Sequence, residues 1–250
     1  MIELFGREGR TRLLPLFAGR QDALLLSGLQ GHMGQAWLSD SGKSALVMMF
    51  GFIFLGGEPD GAFLREAAPL FPTGFLTFSG SAEWREEAKR IGALGEMIRY
   101  DMETPERFDT EKLRRLAVPP KGYTIVRVDS PELYEKCLRA EGDLPDVVRN
   151  YPDFAFFAAH AMAFAAFREG QVVAGCGTYA HADGQLEAEI DTHPLHRRRG
   201  LALCCGANFL LACVEKRLRP HWDAMTEISA VLAGRLGFLS PRPYPVVYRE

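Results

Sequence analysis

The sequence lacks a dominant charge: 29 lysines and arginines against 32 acidic residues leave a formal net charge of −3 over 250 residues. That excludes the broad basic face on which a nucleic-acid binder relies, so an anionic ligand must be held by a local basic site. Long apolar runs are missing too. The longest, Ala45 to Leu55, is too short for a bilayer, which takes about 20 residues, and reads as a buried strand or strand pair. Cysteine is scarce and odd in number: Cys137, Cys176, Cys204, Cys205 and Cys213, with no C-x-x-C pair. The opening residues include Glu3, Arg7, Glu8 and Arg10, which do not make a secretory leader. Together these predict a reduced, cytoplasmic setting. Repeats and low-complexity tracts are absent. What is present is apolar material, 47% hydrophobic against 24% charged, enough for a soluble protein of one large domain or two ordinary ones.

The first half reads as short apolar strands mixed with helical patches. Leu24–Leu26 and Ala36–Leu38 flank Gly28, Gly31 and Gly34, and Ser39-Asp40-Ser41-Gly42-Lys43 leads into the apolar run, which predicts a meander of strands joined by tight turns. Glu83 to Gly95 has helical spacing with Trp84, Ala88 and Ile91 on one face. Ile98-Arg99-Tyr100 suits a strand, and Asp109 suits the cap of a helix over Thr110–Leu116. Pro119-Pro120-Lys121-Gly122 is the best boundary, because the prolines stop a helix and the glycine frees the chain. The predicted domains are therefore 1–120 and 121–250. After the boundary the pattern is a strand over Tyr123–Asp129, a helix capped by Ser130, and a second helical stretch from Leu144 to Ala159. Strands over Met162–Arg168, Val172–Tyr179 and Leu186–Thr192 come next. A long helix from about Arg199 to Arg217, a short segment at Trp222, a helix over Glu227–Leu236 and a strand over Tyr244–Tyr248 complete the order.

The informative stretch is Ile190-Asp191-Thr192-His193-Pro194-Leu195-His196-Arg197-Arg198-Arg199-Gly200-Leu201-Ala202. It is a strand, then a basic turn with a glycine, then a long apolar helix. Amides at a helix start are unpaired and the helix dipole favours negative charge there. Gly200 lets a phosphate approach the main chain, Ala202 leaves room for it, and three arginines add a local positive field. A pyrophosphate suits such a place.

Arg197-x-x-Gly200-x-Ala202 resembles the Q/R-x-x-G-x-G/A signature of the GNAT acetyltransferases, and His193-Pro194 resembles the stretch that leads into it. Ser229-x-x-Leu232-Ala233-x-x-Leu236-Gly237-Phe238 is similar to the family's later helix ending in G-F. Arg99-Tyr100, Tyr151-Pro152-Asp153-Phe154, Gly200-Leu201-Ala202, Trp222-Asp223 and Ser229-x-x-Leu232-Ala233 resemble a bacterial two-part group of that family. The resemblance implies a mixed α/β fold (α+β, mixed sheet), with two tandem GNAT-like halves. The N-terminal half would be degenerate and free of CoA, and the C-terminal half would bind acetyl-CoA.

It also implies roles. The main chain of Ile190, Asp191 and Thr192 would pair with the pantetheine arm as an added strand. Amides from Arg197, Arg198, Arg199, Gly200, Leu201 and Ala202 would hold the pyrophosphate, with Thr226 and Ser229 near the cofactor. An N–H near Ile190 would face the acetyl carbonyl. A small-molecule amine would attack the thioester directly, with a base taking its proton. Glu187, Glu189 and Asp191 share one strand face; Glu189 is the first choice of base and Glu187 the second. Ala233 stands where many relatives carry a proton-donating tyrosine, and Thr226 where many carry asparagine. Tyr248 or Tyr244 could substitute as the acid.

Other patterns are weaker. Gly42-Lys43-Ser44 lacks the first glycine of a P-loop, Trp37 standing in its place, and reads as a hairpin turn. His193 and His196 have no third metal ligand at suitable spacing, so no metal is expected. Cys204-Cys205 and Trp222 read as packing, and Phe154 to Phe157 as core beside an acceptor pocket. Two rivals stay open: a non-catalytic acyl-CoA-binding or regulatory protein, and transfer to a protein amine. The apolar strands near Val47–Phe54 could be buried between halves or between subunits of a homo-oligomer.

Overall fold

In a computed structural model of the chain, every residue is described except Ala18, Gln21, Ser79, Gly80, Ala93, Leu94 and Glu250. The chain forms two compact units, Met1–Arg99 with Pro243–Glu250, and Tyr100–Arg242. The predicted boundary at Pro119–Gly122 lies inside the second unit.

The first unit runs β1 (Ile2–Glu3), α1 (Gly6–Thr11), α2 (Ala23–Leu29), β2 (Gln35–Leu38), β3 (Ser44–Met49), β4 (Phe52–Gly57), α3 (Gly61–Ala67), β5 (Gly74–Phe78) and α4 (Trp84–Arg90). The apolar run is a strand pair, as expected. Phe50 and Gly51 both take positive φ, 46° and 88°, and turn β3 back into β4. Lys43 ends the hairpin turn between β2 and β3. Leu24–Leu26, expected within a strand meander, lies instead in α2. Consecutive leucines carry no period of their own and form helix readily. Burial of both sides of α2 then removes the choice: Gly28 packs so closely on Val47 that a β-carbon there would overlap its side chain. Val47 and Phe54 are buried. Of the predicted helix at 83–95, α4 supplies Trp84–Arg90, while Ala93 and Leu94 lie outside the described residues. The core joins Leu46, Ile53, Leu55, Phe63, Leu76 and Trp84.

β6 (Gly95–Met102) carries the chain onward, and the second unit follows with α5 (Thr110–Leu116), β7 (Thr124–Arg127), α6 (Pro131–Leu138), α7 (Phe154–His160), β8 (Ala163–Arg168), β9 (Gln171–Ala182), β10 (Gln185–Thr192), α8 (Leu201–Lys216), β11 (Arg219–Ala224), α9 (Glu227–Leu236) and β12 (Pro241–Arg249). Its helices begin at side-chain caps: Asp109 and Ser130, as predicted, and Thr226, expected near the cofactor, each accept a first-turn amide. The single helical stretch expected from Leu144 to Ala159 is two pieces. A 3₁₀ turn covers Leu144–Val147, and α7 starts at its own cap, Asp153, beyond Pro152. β7, β8, β9 and β10 form an antiparallel meander, and β11 adds parallel to β10. The apolar face of α8 covers this sheet with Cys205, Phe209, Leu210 and Cys213, joined by Trp222 and Phe238.

The two units repeat one order: antiparallel meander, helix, parallel strand, helix, strand. The strand after α9, β12, pairs with β5 of the first unit. The end of the strand after α4, Tyr100–Met102 of β6, pairs with β11 of the second.

Candidate active site

The parallel pair β10–β11 comes apart early. Its ladder holds only Gln185–Glu187 against Arg219–His221, although β10 continues to Thr192 and β11 to Ala224. The break coincides with an irregularity on the other edge of β10, where the register with β9 shifts between Glu187 and Ala188. The extra residue there is Tyr179 on β9, a bulge at the same level as the fork. Beyond the fork, Ala188–Thr192 keeps β9 on one edge. Among the described residues no strand pairs with its other edge. Such an edge can take an extended ligand as an extra strand.

β10 leads straight into the basic turn. Pro194–His196 forms a 3₁₀ turn, Arg198 takes φ 59°, and Gly200, at φ 82°, is the N-cap of α8. No side chain caps α8, and a β-carbon at Gly200 would meet nothing within 4 Å. The amides of Leu201 and Ala202 thus begin a helix of 16 residues with open space before them. Arg197 braces the turn: its Nε donates to Thr192 O at 3.0 Å, and its guanidinium lies 3.9 Å from Asp191. Arg198 and Arg199 are exposed. These features fit a pyrophosphate with an extended arm along β10. His193 and His196 are structural: His193 Nε2 lies 3.2 Å from Glu141, and His196 Nδ1 lies 3.0 Å from the Tyr123 hydroxyl. Among the described residues no group of His, Cys, Asp and Glu is placed to hold a metal ion.

One face of the fork is acidic. Ala188 and Ile190 pack towards the α8 core, so Glu187, Glu189 and Asp191 face the other way. Glu189 is half-buried, and loss of solvent raises its pKa to about 7. Asp146 from the 144–147 turn, Asp191 and Glu187 push the same way, while the Ile190 N–H, donated to Glu189 Oε1 at 3.0 Å, opposes them. The amide expected to face an acetyl carbonyl is therefore held by the neighbouring carboxylate. Burial also raises Asp146, against the pull of Arg149. Tyr179 is raised by burial and by Glu189.

Glu187 is more deeply set, and both its oxygens are engaged. Oε2 lies 2.7 Å from His221 Nδ1, and Oε1 accepts the Asp223 N–H at 3.2 Å. His221 Nε2 lies 3.1 Å from Asp101, which also pairs with Arg242 at 2.9 Å. The sequence reading missed His221, Asp101 and Asp146. For His221 a signal existed: Trp222 is core, so period two sends His221 and Asp223 to the opposite face. Asp101 and Asp146 gave none, because only tertiary packing brings them here.

The remaining predicted residues are placed as follows. Thr226 Oγ1 caps α9 by accepting the Ser229 N–H, and Ser229 Oγ accepts from Trp222 Nε1 at 3.1 Å. Both side chains thus brace the start of α9. Ala233 is fully buried in the core. Tyr248 belongs to the first unit, on β12 opposite Phe75, with its ring over Gly95. Cys204 and Cys205 are buried with raised pKa values, Cys204 to about 11, so they serve packing.

Comparison with known proteins agrees with this geometry. A family profile described as GNAT acetyltransferase matches residues 14–247. A solved GCN5-related N-acetyltransferase-like protein from Streptococcus suis 89/1591 is 30% identical and superimposes with TM-score 0.87, over 98% of this chain and 99% of that one. A tandem GNAT protein from the clavulanic acid biosynthesis pathway shares the fold at 14% identity and TM-score 0.61, covering 99% of this chain and 96% of its own. An uncharacterized N-acetyltransferase, YdfB, of Bacillus subtilis (strain 168) is 24% identical over 176 residues, 70% of this chain and 66% of that protein, just under two thirds of its length. With a mixed α/β fold, a forked parallel pair and an uncapped helix behind a basic turn, the chain belongs to the GNAT acetyltransferase family.

Proposed function

We propose that the protein transfers an acetyl group from acetyl-CoA to the amine of a small molecule, using the fork of the second unit. The observation that carries this reading is the unpaired edge of Ala188–Thr192, which runs directly into the uncapped start of α8. The main chain of Ile190–Thr192 would hold the pantetheine arm. Amides from Arg198 to Ala202 would hold the pyrophosphate, with Arg198 and Arg199 adding charge. Acetyl-CoA supplies an activated thioester carbonyl. Glu189 gives up the Ile190 N–H and takes the ammonium proton, a task suited to a pKa of about 7. The acidic face formed by Asp146, Glu189 and Asp191 favours a cationic acceptor. The five unpaired, buried cysteines suit a reduced, cytoplasmic setting.

The first half is proposed as a version of the same fold without CoA. There the equivalent parallel pair stays zipped, with Phe52–Leu55 of β4 matched to Phe75–Phe78 of β5. Asp60 caps α3 by accepting two first-turn amides, the donors a pyrophosphate would need.

The test is thermal unfolding with and without acetyl-CoA, in the parent and in an Arg198→Glu, Gly200→Asp double variant. At a hundredfold its Kd the cosubstrate should stabilise the parent by about 2.7 kcal/mol, and the variant should lose that shift. No shift in the parent would sink the reading. A shift without turnover on a broad amine panel would favour a non-catalytic CoA-binding protein.

A further inference from the structure

The charged chain at the closed end of the fork has a direction. The side chain of Glu187 is 6% exposed, that of His221 12%, Asp101 33% and Arg242 65%, so the chain climbs from the buried fork to solvent. Glu187 and His221 face each other in the last pair of the β10–β11 ladder, and Asp101 stands on β6 opposite Asp223. Each imidazole nitrogen meets a different carboxylate, Nδ1 at 2.7 Å and Nε2 at 3.1 Å. An arginine or lysine at position 221 could also tie two carboxylates together. Only an imidazole can take a proton at one nitrogen and release one at the other near neutral pH.

We propose that Glu187, His221 and Asp101 form a proton exit from the acetyl-transfer site. The inference rests on the reading above. The balance requires an exit. An ammonium acceptor loses two protons as its C–N bond forms and the C–S bond breaks. The C–S electron pair goes to sulfur, which takes one proton to become the thiol. The other proton must reach solvent. Glu189 stands two residues from Glu187 on the same strand face, roughly 7 Å along the chain, so the proton crosses between the two carboxyl groups through water. From Glu187 the proton passes to His221 Nδ1 while Nε2 delivers one to Asp101, which is open to water. The charged groups facing the imidazole include Glu187 on β10 and Asp101 on β6, with Arg242 on β12 paired to Asp101, while Asp146 and Asp191 act on Glu189 further along the strand.

The test uses the full chain, with His221→Gln and Asp101→Asn. Thiol release from acetyl-CoA is followed with a primary-amine panel and with water alone as acceptor, beside acetyl-CoA binding by thermal shift. The relay predicts that His221→Gln binds acetyl-CoA as the parent does, loses roughly 10-fold or more in rate, and recovers rate as imidazole buffer is added. A second readout needs no turnover. With ring-labelled histidine, the His221 N–H protons should exchange with water more slowly in Asp101→Asn than in the parent. Parent-like rates in His221→Gln, loss of rate without rescue by imidazole, or equal exchange in Asp101→Asn would each overturn the relay. None of these would disturb the transferase reading. Absence of acetyl-CoA binding by the parent would overturn that reading first.

Discussion

At the scale of single residues, Glu189 is the proposed base, and its raised pKa sets the pH range in which it can act. Its carboxyl is held protonated up to about pH 7, whereas an exposed glutamate ionises near 4.3. Acetyl transfer should therefore rise with pH up to about 7 and level off above it, which a pH–rate profile checks. The same shift has a stability consequence. In the unfolded chain the carboxyl loses its proton near pH 4.3, so between there and pH 7 the folded state binds more protons. Stability is then lost as pH rises through that window. Glu189→Gln, neutral at every pH, should melt higher than the parent at pH 8, by up to about 3 kcal/mol, while losing most activity. A lower melting point at pH 8 would mean that the carboxylate is stabilised by its surroundings. None of this could be read from alternation along β10. Alternation puts Glu187, Glu189 and Asp191 on one face, but burial and Asp146 separate the roles of Glu187 and Glu189.

At the scale of elements, the site depends on how closely the 144–147 turn approaches the sheet. Gly177 on β9 lies under it, and a β-carbon there would run into the Val147 carbonyl and Ala163. Both are main chain or tightly packed, so neither can give way cheaply. Gly177→Ala should destabilise the protein by about 1–3 kcal/mol and lift the turn that carries Asp146. Denaturant unfolding, with the pH–rate midpoint of the same variant, checks this. The midpoint should move down as Asp146 retreats from Glu189; an unchanged midpoint with reduced stability would separate the turn from the site. The elements themselves were largely legible: caps at Asp109 and Ser130, the long apolar α8, and turns at Gly170 and Gly184 all carry local chemistry. Leu24–Leu26 was not, because three leucines fit a strand or a helix equally and the choice falls to Val47 across the gap.

At the scale of the whole molecule, the last strand serves the first unit. β12 pairs Val247 with Leu76, buries Val246 and Val247, and sends Arg249 to the carbonyls of Ala68 and Phe71 at 2.7 and 3.1 Å. Ending the chain at Arg242 leaves every residue of the fork and the basic turn in place. It should nevertheless expose the first unit to protease, because β5 loses a neighbour and the core loses two valines. Limited proteolysis with mass mapping reads this directly; cuts confined to Tyr100–Arg242 would contradict it. The sequence by itself determined the family and the place of the basic turn proposed to hold CoA. Arg197-x-x-Gly200-x-Ala202 between a strand and an apolar helix is chemistry within one stretch of chain, where capping, dipole and side-chain period act over a few residues. Only the tertiary structure decided that β10 and β11 part after Glu187, that His221 and Asp101 close the fork, and that β12 returns to β5. Those contacts join residues far apart in sequence. Local propensity carries no record of such partners, because their energy comes from burial and pairing that exist only once the chain has folded.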